Sequence, residues 1–276
     1  MQPARFDSPY HAPVLVVEVL DVIGTRARPL RVLDGTLGGG GHALAFLESG
    51  AEVTGLDHDP DAIAAARARL AAYESQGRFR AIQSNFADIE NVHELDGVAF
   101  DGIVLDLGVS SHQFDDEARG FSFREGAPLD MRMAAGPAAD DRRPTTVNAV
   151  STAADVLNLA DEHDLSAIFK HFGDEPKGGR LAREVIRRRG NRPFATSDDF
   201  VGAIRAVLGP RSGPGDFARL FQALRIAVNG ELDALARALP VLRDRLAPGG
   251  VLAVIAYHSG EDRIVKHAFR EWSLSC

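Results

Sequence analysis

Three aspartates in this 276-residue chain each close a short apolar run. Asp34 follows Arg31-Val32-Leu33, Asp57 follows Val53-Thr54-Gly55-Leu56, and Asp106 follows Ile103-Val104-Leu105. Such runs read as buried strands, and in open α/β sheets ligands sit beyond the carboxyl ends of the strands. A carboxylate placed there accepts hydrogen bonds from hydroxyl groups or neutralises a cation. Any one of these acids could instead cap a helix or a turn; three in register point to a ligand. Directly after Asp34 comes Gly35-Thr36-Leu37-Gly38-Gly39-Gly40-Gly41-His42. A glycine run between strand and helix lets the backbone approach a ligand closely and aims free amides at it.

Two ligand classes use such a turn. Gly38, Gly40 and Ala43 match the loose dinucleotide fingerprint GxGxxA, with Asp57 roughly where a ribose-binding acid belongs, which keeps an NAD-dependent oxidoreductase open. Two features favour S-adenosylmethionine. Asp34 stands before the glycines, where it suits a cationic group and sits poorly beside a pyrophosphate. Asp106 adds another acid beside the cleft. On this reading Asp57 accepts from both ribose hydroxyls, and Phe86 either flanks the adenine or packs into the core. His42, at the helix start, is a contact at most.

The elements that must position these residues alternate between strand and helix over the first third of the chain, the mark of a parallel sheet covered on both faces. A lead-in helix over 13–23 precedes the first strand. Strands over 53–57, 79–82 and 103–106 follow, with Asp59-Pro60 as N-cap and first helical residue of the helix between the first two. Past residue 113 the strands stop. Residues 134–144 read as a surface loop, and helices are expected over 153–159, 165–172, 181–189 and 198–208. Residues 209–215 read as a linker, 217–246 as one long helical region, 251–257 as a fifth strand and 261–272 as a last helix. The simplest arrangement is an α/β core, 1–113 and 216–276, with a helical module, 114–215, inserted between its fourth and fifth strands.

Composition is that of an ordinary globular protein, 45% hydrophobic and 25% charged. The lone cysteine, Cys276, permits no intramolecular disulfide and no thiolate metal cage, and no apolar run approaches the roughly 20 residues of a membrane span. These features point to a cytoplasmic protein. The net charge of -8 argues against a chain wrapped in nucleic acid. Against that background Arg180, Arg183, Arg187, Arg188 and Arg189 stand out, flanked by Lys177 and Arg192 and opposed only by Glu184. Helical spacing puts Arg180, Arg183 and Arg187 along one side. Such a run is either a solvated helix face or a phosphate-binding surface.

Several segments together resemble the bacterial 16S ribosomal RNA cytosine-N(4) methyltransferases. They are His11-Ala12-Pro13-Val14-Leu15, the Asp34 glycine turn, Leu56-Asp57-His58-Asp59-Pro60, and Leu105-Asp106-Leu107-Gly108-Val109-Ser110-Ser111. Arg119-Gly120-Phe121-Ser122-Phe123, Pro128-Leu129-Asp130-Met131-Arg132-Met133, the segment from Phe221 to Asn229 and the segment from His258 to Lys266 complete the set. The resemblance implies a Rossmann-like class I methyltransferase sheet with an inserted all-helical module. It implies S-adenosylmethionine as methyl donor, with contacts at Gly40, Gly41, His42, Asp57, Phe86, Asp106 and Gln113. The implied substrate is a decoding-region cytidine of small-subunit ribosomal RNA within an assembling 30S particle, its base splayed out so that the amine is accessible. The arginines Arg180, Arg183, Arg187 and Arg188 would then hold RNA.

The exocyclic amine of cytosine is a poor nucleophile, because its lone pair is conjugated into the ring. An enzyme helps by accepting a hydrogen bond from it and aligning it. Asp106 is the first candidate for that role; Asp130 and His258 are further ones, although a strand-end histidine is more often simply buried and satisfied. The chain departs from the family at Tyr257 (usually phenylalanine), at Gly260 (usually leucine) and in the glycine-rich stretch 173–179. The family continues past the position of Cys276 with segments resembling the closing strands of the sheet, so the expectation is that the fifth strand is left as an edge.

Overall fold

The computed structural model describes residues 6–7, 13–24, 28–108, 119–133 and 152–274. The apolar runs form β1 (Arg31–Asp34), β2 (Glu52–Asp57), β3 (Phe79–Gln83), β4 (Phe100–Asp106) and β5 (Leu246–Ile255). They make one sheet in the order β3-β2-β1-β4-β5, with every neighbouring pair parallel. The winding direction reverses between β1 and β4, which opens a crevice at their carboxyl ends. Register fixes what meets there: Asp34 lies opposite Gly55 and Val104, and Asp106 opposite Ile255.

Alternation along the strands builds a core on each face. Val32, Val53 and Val104 pack with Ile23 of α1 (Val16–Ile23), Phe46 and Leu47 of α2 (Gly41–Glu48), and Ile63 and Leu70 of α3 (Pro60–Ser75). Leu33, Leu56, Ile103 and Leu105 point the other way, with Leu95, Leu235, Leu239 and Leu242. Each such side chain contributes about 1.5–3 kcal/mol when fully buried, so the strand ends that carry the acids are anchored from both sides. The start of α3 follows the sequence rule: the Asp59 carboxylate accepts from the Asp61 amide at 3.0 Å and Pro60 occupies the first turn. β5 is an edge of the sheet among the described residues, and it begins at Leu246 rather than at 251.

The chain divides into two compact units, Met1–His112 with Leu232–Cys276, and Gln113–Glu231. The second contains α4 (Ala153–Leu159), α5 (Glu162–Ala167) running into a π-helical turn (Ile168–Phe172), α6 (Gly178–Arg189), α7 (Ser197–Leu208) and α8 (Pro214–Asn229). Its core is aromatic: Phe200 lies 5.7 Å from Phe169 and 5.3 Å from Phe221, and Phe123 sits 6.0 Å from both Phe217 and Phe221. The expected core boundary at 216 therefore differs from the observed one, because Phe217, Leu220 and Phe221 of α8 are buried within the helical unit. The helical region expected over 217–246 consists of two helices. Gly230, at φ 59°, ends α8, and α9 (Glu231–Asp244) starts afresh; only glycine adopts that left-handed conformation without strain. The last helix, α10 (Ser259–Leu274), follows β5.

Candidate active site

Asp34, Asp57 and Asp106 converge at the switch point of the sheet. Asp34 is 1% exposed. Its Oδ1 accepts from the Thr36 amide at 3.3 Å. Its Oδ2 lacks a hydrogen bond of full geometry, although the nearby Ala43 amide favours the ionised form. Burial pushes its pKa up to about 7; the Thr36 amide opposes this, while the neighbouring charges of Asp106 and Asp57 add to it. A carboxyl so placed welcomes a cation.

Asp57 pins the glycine turn. Its Oδ2 accepts from the Gly38 amide at 2.8 Å, and its Oδ1 from the Asp59 amide at 2.9 Å. Burial raises its pKa, while those amides and the His58 ring, 3.7 Å away, work against the rise. The Leu37 amide donates to the Leu56 carbonyl at 2.9 Å, so the turn is tied to β2 by backbone as well as by side chain. Gly40 takes φ 74° to enter α2. Gly41 has no room for a side chain, since a Cβ there would lie 2.6 Å from Pro13.

Asp106 is held from three elements. Its amide donates to Thr36 Oγ1 at 2.6 Å, and its Oδ1 accepts from the Tyr257 hydroxyl at 2.9 Å. Its Oδ2 lies 3.8 Å from His42 Nδ1, both side chains being buried. The other ring nitrogen of His42 is 2.9 Å from the Val14 carbonyl. Burial raises the Tyr257 pKa and the Asp106 charge raises it further, so the phenol remains a donor. Tyr257 is the site residue that residue-by-residue reading missed. The signal was present: it stands two residues past Ile255, which pairs with Asp106 in the sheet.

The other candidates distribute unevenly. Phe86 opens a short 3₁₀ segment after β3 and is half-buried, with its Cβ beside Gly35. Gln113 lies outside the described residues. His258 is engaged at the start of α10: Nδ1 accepts from the Gly260 and Glu261 amides at 3.2 and 3.4 Å, and Nε2 lies 3.1 Å from Glu261 Oε1. Asp130 belongs to the helical unit, where the Arg132 guanidinium grips its carboxylate with two bonds of 2.7 Å. Burial would raise the Asp130 pKa, but Arg132 outweighs it and leaves it lowered.

On α6, Arg180, Arg183 and Arg187 are exposed and share one side, while Arg188 is half-buried. Two acids face them rather than one. Glu184 takes Arg187 and Arg188 at 2.7 Å, and Glu162 lies 3.6 Å from Arg183. Arg187 and Arg188 hold the Glu184 carboxyl down to about 2, despite an opposing contribution from burial.

A parallel sheet of order β3-β2-β1-β4-β5, with a glycine turn after β1 and acids at the ends of β1, β2 and β4, is a Rossmann-like α/β frame with its ligand crevice at the switch point. Comparison with known proteins narrows this. Residues 8–276 match the MraW methylase family. A ribosomal RNA small subunit methyltransferase H of Gemmatimonas aurantiaca is 59% identical over 99% of this chain and 82% of its own length. Proteins of the same name from Heliobacterium mobile and Rhizobium meliloti are each 44% identical, over 97% and 95% of this chain and 83% and 72% of their own. The chain belongs to the MraW methylase family. No described helix is long and apolar enough to cross a membrane.

Proposed function

We propose that this protein methylates the exocyclic amine of a cytidine in the decoding region of small-subunit ribosomal RNA, working in the cytoplasm on an assembling 30S particle. S-adenosylmethionine is the cofactor, and when bound it supplies an electrophilic methyl group on a sulfonium. The observation that carries the reading is the row of acids at the switch point. Three carboxylates so close repel one another, and a ligand bearing two cationic centres and a ribose diol relieves that repulsion. Asp34, with its buried and under-bonded Oδ2, fits the cationic side. Asp57 fits the ribose hydroxyls, and the backbone of Gly38, Gly40 and Gly41 lines the approach. Phe86 flanks the adenine, with His42 and Gln113 completing the contacts.

Asp106 accepts a hydrogen bond from one N–H of the target amine and so aligns the nitrogen lone pair with the methyl donor; as the N–CH3 bond forms and the S–CH3 bond breaks, the nitrogen gives up a proton to solvent. Tyr257 and Thr36 fix the orientation of Asp106 while this happens. Asp130 and His258 contribute by shaping backbone: Asp130 is closed onto Arg132, and His258 onto the first turn of α10. The relatives' names support the RNA substrate, and the cytidine amine rests on the family resemblance. The test is mass spectrometry of nucleosides from small-subunit RNA of cells lacking the gene. N4-methylcytidine should disappear, and return with the wild-type gene but not with Asp106→Ala. A methylation pattern unchanged by the deletion would refute the proposal.

A further inference from the structure

The arginines that make α6 conspicuous are largely engaged within the fold. Arg187 donates from Nε and Nη2 to both oxygens of Glu184, at 2.8 and 2.7 Å. Arg188 donates to the same carboxylate at 2.7 Å, and its guanidinium lies 3.0 Å from where a Cβ on Gly202 of α7 would be. Arg189 donates to the carbonyls of Leu157 and Ala160 at 3.0 and 2.6 Å. These contacts tie α6 to its neighbours.

The first turn of the same helix is different. The side chains of Lys170, Lys177 and Arg180 are exposed and make neither a hydrogen bond nor an ion pair among the described residues. Lys170 arrives from the π-helical turn and lies along the start of α6. Its Cγ is 2.7 Å from where a Cβ on Gly178 would be, and its Nζ is 3.9 Å from the corresponding position on Gly179. The two glycines thus leave no side chain between Lys170 and its cationic neighbours on either side of them. The buried Glu175 carboxylate is occupied by Arg219 at 2.7 Å and the Lys177 amide at 2.8 Å, and pairs with none of these three side-chain charges. Three cations whose side chains have no partner among the described residues, set about the start of α6 in a chain of net charge -8, form a local surface for a polyanion.

We infer that Lys170, Lys177 and Arg180, at the amino-terminal turn of α6, hold the RNA phosphate backbone, while Arg187 and Arg188 shape the helix and do not touch RNA. This rests on the reading that RNA is the substrate. It relocates the contact from the arginine-dense end of α6 to its sparse end. Each phosphate neutralised on a single strand contributes about 0.7 to the slope of log affinity against log salt, so the inference has a quantitative signature.

The test uses the full chain and small ribosomal subunits from cells lacking the gene, with affinity measured between about 50 and 200 mM salt. The variants K170Q, K177Q, R180Q and R187Q each remove one charge from an exposed position, and thermal melts verify their folding. Each of the first three should weaken binding at least about threefold and lower the salt slope by about 0.7. R187Q should change affinity less than about twofold, because Arg188 still neutralises Glu184, and K177R should restore what K177Q loses. An R187Q loss equal to that of R180Q, or no loss in the first three, would overturn the inference while leaving the RNA reading intact. A wild-type protein that does not bind these subunits would take down both.

Discussion

Charged groups at the ends of the sheet strands and charged groups on α6 arrive at opposite conditions. Asp34, Asp57 and Asp106 are like charges brought together by sheet register: backbone amides hold Asp34 and Asp57, the Tyr257 hydroxyl holds Asp106, and the basic groups beside them are the rings of His58 and His42, 3.7 and 3.8 Å from Asp57 and Asp106. Arg187 and Arg188 are balanced by a carboxylate one helical turn away. The first arrangement is an unfavourable concentration of charge that a ligand relieves. The second is a local ion pair that the helix satisfies by itself. Residue type alone does not separate these cases; the frame that positions the groups does.

The contrast breaks most sharply at Asp106. If it aligns the amine, Asp106→Ala should lower kcat by about a hundredfold or more, with cofactor affinity changed much less. A drop confined to KM would make Asp106 a binding group only.

The next effect concerns Asp34 and pH. Its folded-state pKa, about 7, lies above the ordinary carboxylate value near 3.9. Between these values the folded chain holds a proton that the unfolded chain has lost, so this group's contribution to stability falls as pH rises from about 4 to 7. In the cofactor-free protein, the difference in stability between wild type and Asp34→Asn should change by a few kcal/mol across that window. Denaturation at pH 4.5 and 7.5 measures it, and a constant difference would mean that Asp34 is solvated or already paired. A cationic ligand favours the ionised form, so its affinity for wild type should rise through neutrality.

Asp57→Ala should weaken cofactor binding by about 1.5–3 kcal/mol, the range for lost hydrogen bonds to a charged group, with the Gly38 turn loosened at the same time. Titration calorimetry reads this directly, and an unchanged dissociation constant in a folded variant would remove Asp57 from the site. The smallest effect belongs to the helical unit. Glu162→Gln, which removes the exposed partner 3.6 Å from Arg183, should alter stability by less than about 0.5 kcal/mol. A larger loss would show that the pairing on this surface is structural.

Much of the site was legible because strand-end acids and glycine turns follow from local rules. The run Ile103-Val104-Leu105 can hardly be anything but a buried strand, and what comes next must stand at its carboxyl end. Tyr257 was harder to see, because its role depends on β5 lying beside β4, and those strands are far apart in sequence. The break at Gly230 was hidden by good helix formers on both sides, and its left-handed φ is a property of the fold. The membership of α8 in the helical unit was likewise set by tertiary packing of Phe217 and Phe221, which periodicity does not reveal. On α6 the arginines were counted correctly, but their partners were not: Glu162 comes from another helix.

The central claim is that the acid row serves methyl transfer to a cytidine amine, and a single in vitro reaction tests it. Purified protein is incubated with S-adenosylmethionine labelled in its methyl group and with small ribosomal subunits from cells lacking the gene, and the RNA is digested to nucleosides. The label should appear in N4-methylcytidine with wild-type protein and be absent with Asp106→Ala. Label in a different nucleoside, or equal labelling by the Asp106→Ala protein, would contradict the account.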